Sequence, residues 1–356
     1  MKLAVLGVGG AGCRLADRLA AAEPDDRPYL AATAAFDTDL ASLDRLALDQ
    51  ANRHAFGTTA GATGDAVAVR EAAEANALEL RRAASDAVPS GAAGVLVTLG
   101  VGGAAGAGAA PVLIDALREI IDLPVYTLSV LPADAEETVA RNARVGLRGL
   151  EATADAQILF DNEVLDAPAE RPPDDEAAEA YAGANGTIAD WVTVLFSASE
   201  ATTASAVGES VVDASELMAT FGDAGYATLG HERMQVREPA SFLDKLLSRS
   251  SEPDSIESYS TIETAVQRAL FRHRSLDGEL ERASRSLLLT AGPPVWLNRE
   301  AIADARTTVA EATGGSRVRG GDTPIEDGTH LTVQVLCAGM DRPERVASLL
   351  AAGSGS

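Results

Sequence analysis

Three glycine-rich stretches are the parts of this chain best suited to chemistry, and that chemistry is anion binding. The longest, GVGGAAGAG at 100–108, follows an apolar run at 95–99 and precedes AAP at 109–111, which opens a helix expected to reach about residue 121. Glycines let a backbone approach a ligand, and the unpaired N–H groups of a helix amino end face it together with the positive end of the dipole. No lysine follows, so this is not the P-loop pattern GxxxxGK[ST]. The bland alternative is a flexible turn in an alanine-rich chain. GVGGAG at 7–12 lies between an apolar run and a helix and matches G-x-G-x-x-G, a pattern that holds a dinucleotide pyrophosphate. Asp37-Thr38-Asp39 then stands where a dinucleotide fold holds a ribose, at a somewhat long spacing, which makes an NAD-dependent dehydrogenase the rival reading. GTTAGATGD at 57–65 is the third glycine loop.

Such loops need a frame to hold them at one edge. Apolar runs at 2–6, 29–36, 95–99, 124–131 and 156–160 read as strands. Helical patterns at 13–22, 40–47, 66–84, 109–121 and 136–151 alternate with them, which predicts a doubly wound parallel sheet. Glycine loops at successive carboxyl ends of strands fit one nucleotide better than a dinucleotide with a separate substrate domain. No His–Asp–Arg constellation for hydride transfer is visible. A long helix is expected over 176–199, with Tyr181, Ala184, Ile188, Trp191, Val192 and Leu195 mostly on one face, as a spine between two domains. Trp191 reads as core. Beyond it, strands at 226–234, 286–291 and 331–338 with helices at 262–273 and 298–312 predict an α+β domain, with 248–260 as a surface loop.

The totals exclude several classes. With 356 residues the chain can bury a large core, and no apolar run reaches the length of an integral membrane segment. Cys13 and Cys337 offer neither a disulfide framework nor metal spacing, and His54, His231, His273 and His330 are scattered. A net charge of −24, from 53 acids against 29 bases, with lysine only at positions 2 and 245, would repel nucleic acid. So much like charge is best tolerated where strong salt screens it, which points to a salt-rich cytoplasm. In so acidic a chain a single exposed carboxylate carries little information.

Taken in order, these pieces resemble the tubulin and FtsZ superfamily, and most closely its archaeal CetZ branch. Gly9, Gly10, Ala11, Gly12, Cys13 and Arg14 look like the first phosphate loop, Asp37-Thr38-Asp39 the second, and the stretch holding Gly61 and Gly64 the third. Gly102, Gly103, Ala104, Ala105, Gly106, Ala107 and Gly108 sit where the family carries its signature GGGTG[ST]G. PADAEETVARN at 132–142 resembles the fifth loop and puts Glu136 on the carboxylate that holds the ribose. Asn162 and Asn185 fall where the family reads the guanine edge, and Tyr181 where a ring stacks on the base. Carboxamides both donate and accept, which suits a purine edge. VVDASE at 211–216 is similar to the CetZ loop that reaches the γ-phosphate held by the next subunit, which makes Asp213 and Glu216 the catalytic candidates. AGPP at 291–294 and RGGD at 319–322 are also CetZ-like.

The resemblance implies a GTP-binding domain at 1–175, a central helix at 176–200, a catalytic loop and helix at 201–222, a C-terminal α+β domain at 223–350 and a tail at 351–356. It also implies a cytoplasmic protein that binds GTP or GDP, with Mg²⁺ brought by the triphosphate. Such a protein assembles into longitudinal filaments, alone or with paralogues, hydrolyses GTP slowly at the subunit junction and controls cell shape or motility. The signature departs from the pattern: Ala104 adds a Cβ that would push the loop from the phosphates, while Ala105 and Ala107 remove hydroxyls. A non-hydrolysing or nucleotide-deficient structural paralogue is therefore the alternative.

Overall fold

Strands in the first half are apolar on both faces because helices cover both faces. A computed structural model of the chain describes residues 1–57, 64–133, 136–165, 167, 176–200, 212–222, 225–236, 255–315, 317–326 and 328–352. Strands β1 (Leu3–Val8), β2 (Leu30–Asp37), β3 (Arg53–Ala55), β4 (Gly94–Gly100), β5 (Val125–Leu131) and β6 (Ala156–Asp161) lie parallel in the order β3-β2-β1-β4-β5-β6. β1, β5 and β6 are buried from end to end, as parallel strands between two helical layers must be. β7 (Tyr226–Gln235) then pairs parallel to β6 through Gln157 with Tyr226 and Ile158 with Ala227. β8 (Arg285–Gly292), β9 (Arg317–Pro324) and β10 (His330–Met340) complete a ten-stranded sheet that ends β7-β10-β8-β9. β10 runs antiparallel to both β7 and β8.

The helices are α1 (Gly9–Ala22), α2 (Leu40–Asp44), α3 (Ala66–Ala75), α4 (Ala77–Ala87), α5 (Ala104–Arg118), α6 (Glu137–Thr153), α7 (Ala177–Ala180), α8 (Ala182–Ser197), α9 (Ala214–Phe221), α10 (Ser255–Phe271), α11 (Arg299–Ala312) and α12 (Glu344–Ala351). On one face of the sheet, Leu15 of α1, Ile188 of α8 and Leu217 of α9 pack with Leu3, Leu96, Tyr126 and Ile158. The other core holds Val69, Leu80, Leu113, Leu147, Ile262, Val309 and Leu349 from the remaining long helices. α8 is the spine. Trp191 is buried and stacks on His231 of β7 at 5.3 Å between centroids, while Gln334 of β10 donates to the Trp191 carbonyl at 2.8 Å. Burial drives the His231 imidazolium down to about 4. No helix among the described residues is long and apolar enough to cross a membrane.

Several boundaries differ from expectation. The helix after the fourth strand starts at Ala104, not at residue 109, because alanines at 104, 105, 107, 109 and 110 favour helix strongly enough to carry Gly106 and Gly108 with them. The expected long helix breaks at Tyr181 into α7 and α8, and the charged helix breaks at Asn76, whose side chain donates to the Ala72 carbonyl at 2.7 Å. Residues 255–260, expected in a loop, form the first turns of α10, and 248–254 lie outside the described residues. The sequence reading missed β3, β9 and α12.

Candidate functional site

Two helix amino ends meet at the carboxyl edge of β1 and β4. α1 begins directly at Gly9 and α5 at Ala104, so the amides of Gly9, Gly10 and Ala11, and of Ala104, Ala105 and Gly106, have no intrahelical acceptor. Gly9 has φ +71°, and a Cβ there would stand 2.5 Å from the Gly106 nitrogen. Only glycine lets the two ends come so close. Gly12 serves a different purpose: a Cβ on it would fall 2.0 Å from the Thr98 carbonyl oxygen, so it seats α1 on β4. The Thr98 hydroxyl donates to the Gly12 carbonyl at 2.8 Å. Converging amides and two positive dipole ends can hold an anion through main chain alone.

The altered signature is less disruptive than its sequence implies. Ala104 is 5% exposed and its methyl belongs to the core, so it does not push the loop outward. Ala107 is fully buried, and its Cβ lies 3.0 Å from where a Cβ on Gly146 of α6 would be. Ala105 alone of the three is partly exposed. A hydroxyl at 105 could reach a bound anion, whereas one at 107 would face α6.

Side chains close the rim. A Cβ on Gly10 would lie 3.2 Å from Arg14 Nη1 and 3.7 Å from Asp37 Oδ2, which brings both to the same edge. Asp37 is 3% exposed and accepts the Thr38 N–H at 2.7 Å, yet burial pushes its carboxyl up to about 6. The Cys13 thiol turns inward to the carbonyls of Gly7 and Phe36, and burial raises it well above the usual range, so only its main chain faces the edge. Glu136 is exposed at the amino end of α6. Asn162 follows β6, its N–H donating to the Leu131 carbonyl at 3.2 Å. Tyr181 and Asn185 stand at the start of α8, which packs on α1. Gly64, with φ +83°, precedes α3, and Gly61 lies outside the described residues.

Asn142 of α6 was not singled out by residue type, and the structure makes it a clamp. Buried to 3% exposure, it donates Nδ2 to the carbonyls of Gly64 (3.0 Å) and Gly102 (3.2 Å) and accepts the Ala66 N–H at 3.0 Å. It thereby ties Gly64, just before α3, to Gly102 in the glycine stretch at 100–108. A lone asparagine on a helix gives no sequence signal of this role.

Asp213 and Glu216 are at the other end of the sheet. Asp213 caps α9, accepting the Glu216 N–H at 2.9 Å and the Ser215 hydroxyl at 2.6 Å. Those two bonds hold its exposed carboxyl below the usual range. The ammonium group of Met1, just before β1, adds to that effect, and Phe221 of α9 packs its ring on Tyr126 near the start of β5 at 4.7 Å. β1 spans six residues between this end and Gly9, about 20 Å. The carboxylates therefore cannot reach the glycine loops of their own chain.

Comparison with known proteins agrees over the full length. Residues 2–168 match the tubulin/FtsZ family GTPase domain, and residues 174–354 match the C-terminal domain of tubulin-like CetZ. The tubulin-like protein CetZ5 of Haloferax volcanii is 34% identical across 98% of this chain and 90% of its own. The GTPγS-bound protofilament of CetZ2 from Haloferax volcanii superposes with a TM-score of 0.83 at 30% identity, covering 99% of this chain and 97% of that one. The GDP-bound monomer of CetZ1 from the same organism also gives 0.83, at 27% identity, covering 99% and 98%.

Proposed function

This chain belongs to the tubulin/FtsZ family and, by its second half, to the CetZ group; on that premise we propose that it is a cytoplasmic cytoskeletal protein that binds GTP or GDP and assembles head to tail. GTP is hydrolysed slowly at each junction, and the filament acts in cell shape or motility. The observation that carries this reading is the split site: main-chain amides at one end of the sheet, carboxylates at the other. In a head-to-tail stack, Asp213 and Glu216 of one subunit meet the phosphates held by Gly10, Ala11, Ala104, Ala105 and Gly106 of the next.

Phosphoryl transfer is mostly positioning and charge stabilisation, and the parts divide accordingly. The two helix ends hold the phosphate tail and offset its charge. Asp213, kept ionised by its hydrogen bonds, accepts from a water and aims it, and Glu216 supplies the second acceptor. Glu136 holds the ribose, Tyr181 stacks on the base, and Asn162 and Asn185 select guanine. Among the described residues no three His, Cys, Asp or Glu side chains cluster to hold a metal, so Mg²⁺ would ride on the phosphates and add charge neutralisation there.

A second reading, a subunit that holds nucleotide without turning it over, draws on the double engagement of Asp213 as a helix cap. Phosphate release in concentrated potassium chloride decides between them. Release that falls at least about tenfold in Glu216→Ala supports hydrolysis at the junction. GTP binding without release in the wild type supports the second reading. No heat and no thermal shift with GTP would sink both.

A further inference from the structure

Arg345 is far in sequence from the segments at 132–133 and 161–163, yet it bonds to both. It lies in the first turn of α12, whose Val346 and Leu349 are buried in the core and which packs on α6. Its Nε donates to Asp161 Oδ2 at 2.9 Å. Its Nη2 donates to the Pro132 carbonyl at 2.6 Å and the Ala133 carbonyl at 2.8 Å, and it pairs with Glu163 Oε1 at 2.7 Å. Asp161 and Glu163 are the two residues on either side of Asn162. The second oxygen of Asp161 accepts the Glu163 N–H at 3.1 Å, closing the turn around Asn162. Pro132 and Ala133 precede Glu136 by four and three residues in the sequence.

Attachment of α12 does not call for this arrangement. Arg342 already fastens the helix to α6 through a two-pronged bond to Glu151, 2.8 Å on each arm, at a more exposed position. The Asp161 carboxylate is 4% exposed, and burying an ion pair costs desolvation that an apolar contact would avoid. What the guanidinium adds is geometry, because a planar fork holds acceptors from two segments, 132–133 and 161–163, at fixed angles and an ammonium cannot.

We propose that Arg345 is a positioning residue for nucleotide selection: it sets the turn carrying Asn162 and the approach to Glu136, so that the C-terminal helix holds the base-reading and ribose-holding loops in register. The inference rests on the proposed guanine-nucleotide site. Arg345 touches neither helix amino end that grips the phosphates, so its loss separates base choice from phosphate binding.

The test is calorimetric titration with GTP, ATP and inorganic tripolyphosphate in concentrated potassium chloride. The proteins are wild type, Arg345→Lys, Arg345→Met, and Arg345→Met combined with Asp161→Asn. The single Met variant leaves a buried carboxylate unpaired and loses stability; the double variant removes that charge and regains much of it. Arg345→Met and the double variant should lose about tenfold or more of the GTP-over-ATP preference, with tripolyphosphate binding within about twofold of wild type. Arg345→Lys should lie between. An unchanged preference in the stable double variant, beside a wild type that prefers GTP, overturns this inference alone and leaves Arg345 a rivet. A wild type that binds tripolyphosphate but does not distinguish GTP from ATP overturns the guanine reading and this inference together.

Discussion

The two ends of the sheet do their work with different parts of the polypeptide. At the carboxyl edge of β1 and β4 the working groups are peptide amides, and side chains matter mainly by being absent, as at Gly9, or by turning inward, as at Ala104 and Cys13. At the opposite end the proposed working groups are the carboxylates of Asp213, the cap of α9, and Glu216 in its first turn. In the proposed reading, the signature can lose both hydroxyls and still present its main-chain amides, whereas the carboxylate end has no backbone substitute. On that reading the amide end can hold an anion by itself, but neither end completes a hydrolytic site alone.

The largest effect should come from adding a charge to the amide end. Gly103 precedes α5 with φ −85°, and a Cβ there would meet nothing closer than 3.6 Å. Gly103→Asp should therefore fold and gain a few tenths of a kcal/mol from the new helix cap. Its carboxylate would repel phosphate, lowering GTP affinity by about a hundredfold or more. Titration calorimetry beside a thermal melt reads both quantities. A Gly103→Asp protein that still binds GTP tightly would break the assignment of α5 as an anion cradle.

Asp37 sharpens the contrast from the stability side. Its carboxyl titrates near 6 in the fold against an ordinary 3.8, so the folded state holds that proton more tightly than the unfolded chain does. The resulting stabilisation is complete below about pH 4 and is lost as pH rises through 6. Asp37→Asn should consequently be more stable than wild type by about 2–3 kcal/mol at pH 7.5, with the gap closing by about pH 4. Denaturant melts across that range, at constant salt, measure it. A gap independent of pH would place the cost elsewhere.

A smaller effect separates the two lost hydroxyls. Ala105→Thr should tighten GTP binding by about 0.5–1.5 kcal/mol, since its side chain is partly exposed at the helix end. Ala107→Thr should bring no tightening and cost about 1–3 kcal/mol of stability, because its methyl already meets α6 at Gly146.

Much of this was legible in the residues. Glycine spacing between apolar runs and helices located the amide end, because main-chain chemistry leaves its mark as missing side chains. Strands β1, β4, β5 and β6 were readable as mainly apolar runs, interrupted only by single polar residues such as Thr98, Thr127, Ser129 and Gln157. The parts that were not readable depend on distant partners. RVRGGDTP has two glycines and a proline and low strand propensity, yet β8 draws it into β9, where Gly320 leaves room for Arg306, whose Nε would lie 2.7 Å from a Cβ there. Asn142 and Arg345 are single polar residues on helices, and nothing local marks them as clamps. Asp213 is one of 53 acids; family resemblance nominated it, and its place at the far end of the sheet gives that nomination a geometric reason.

Mixing two defective subunits tests the split site directly. One carries Gly103→Asp and intact carboxylates; the other carries Asp213→Ala with Glu216→Ala and intact amide loops. Each alone should release phosphate from GTP at no more than about a tenth of the wild-type rate, and the mixture should recover well above the sum of the two. Wild-type release by the doubly substituted subunit alone, or a mixture no faster than that sum, would contradict an active site shared between neighbours.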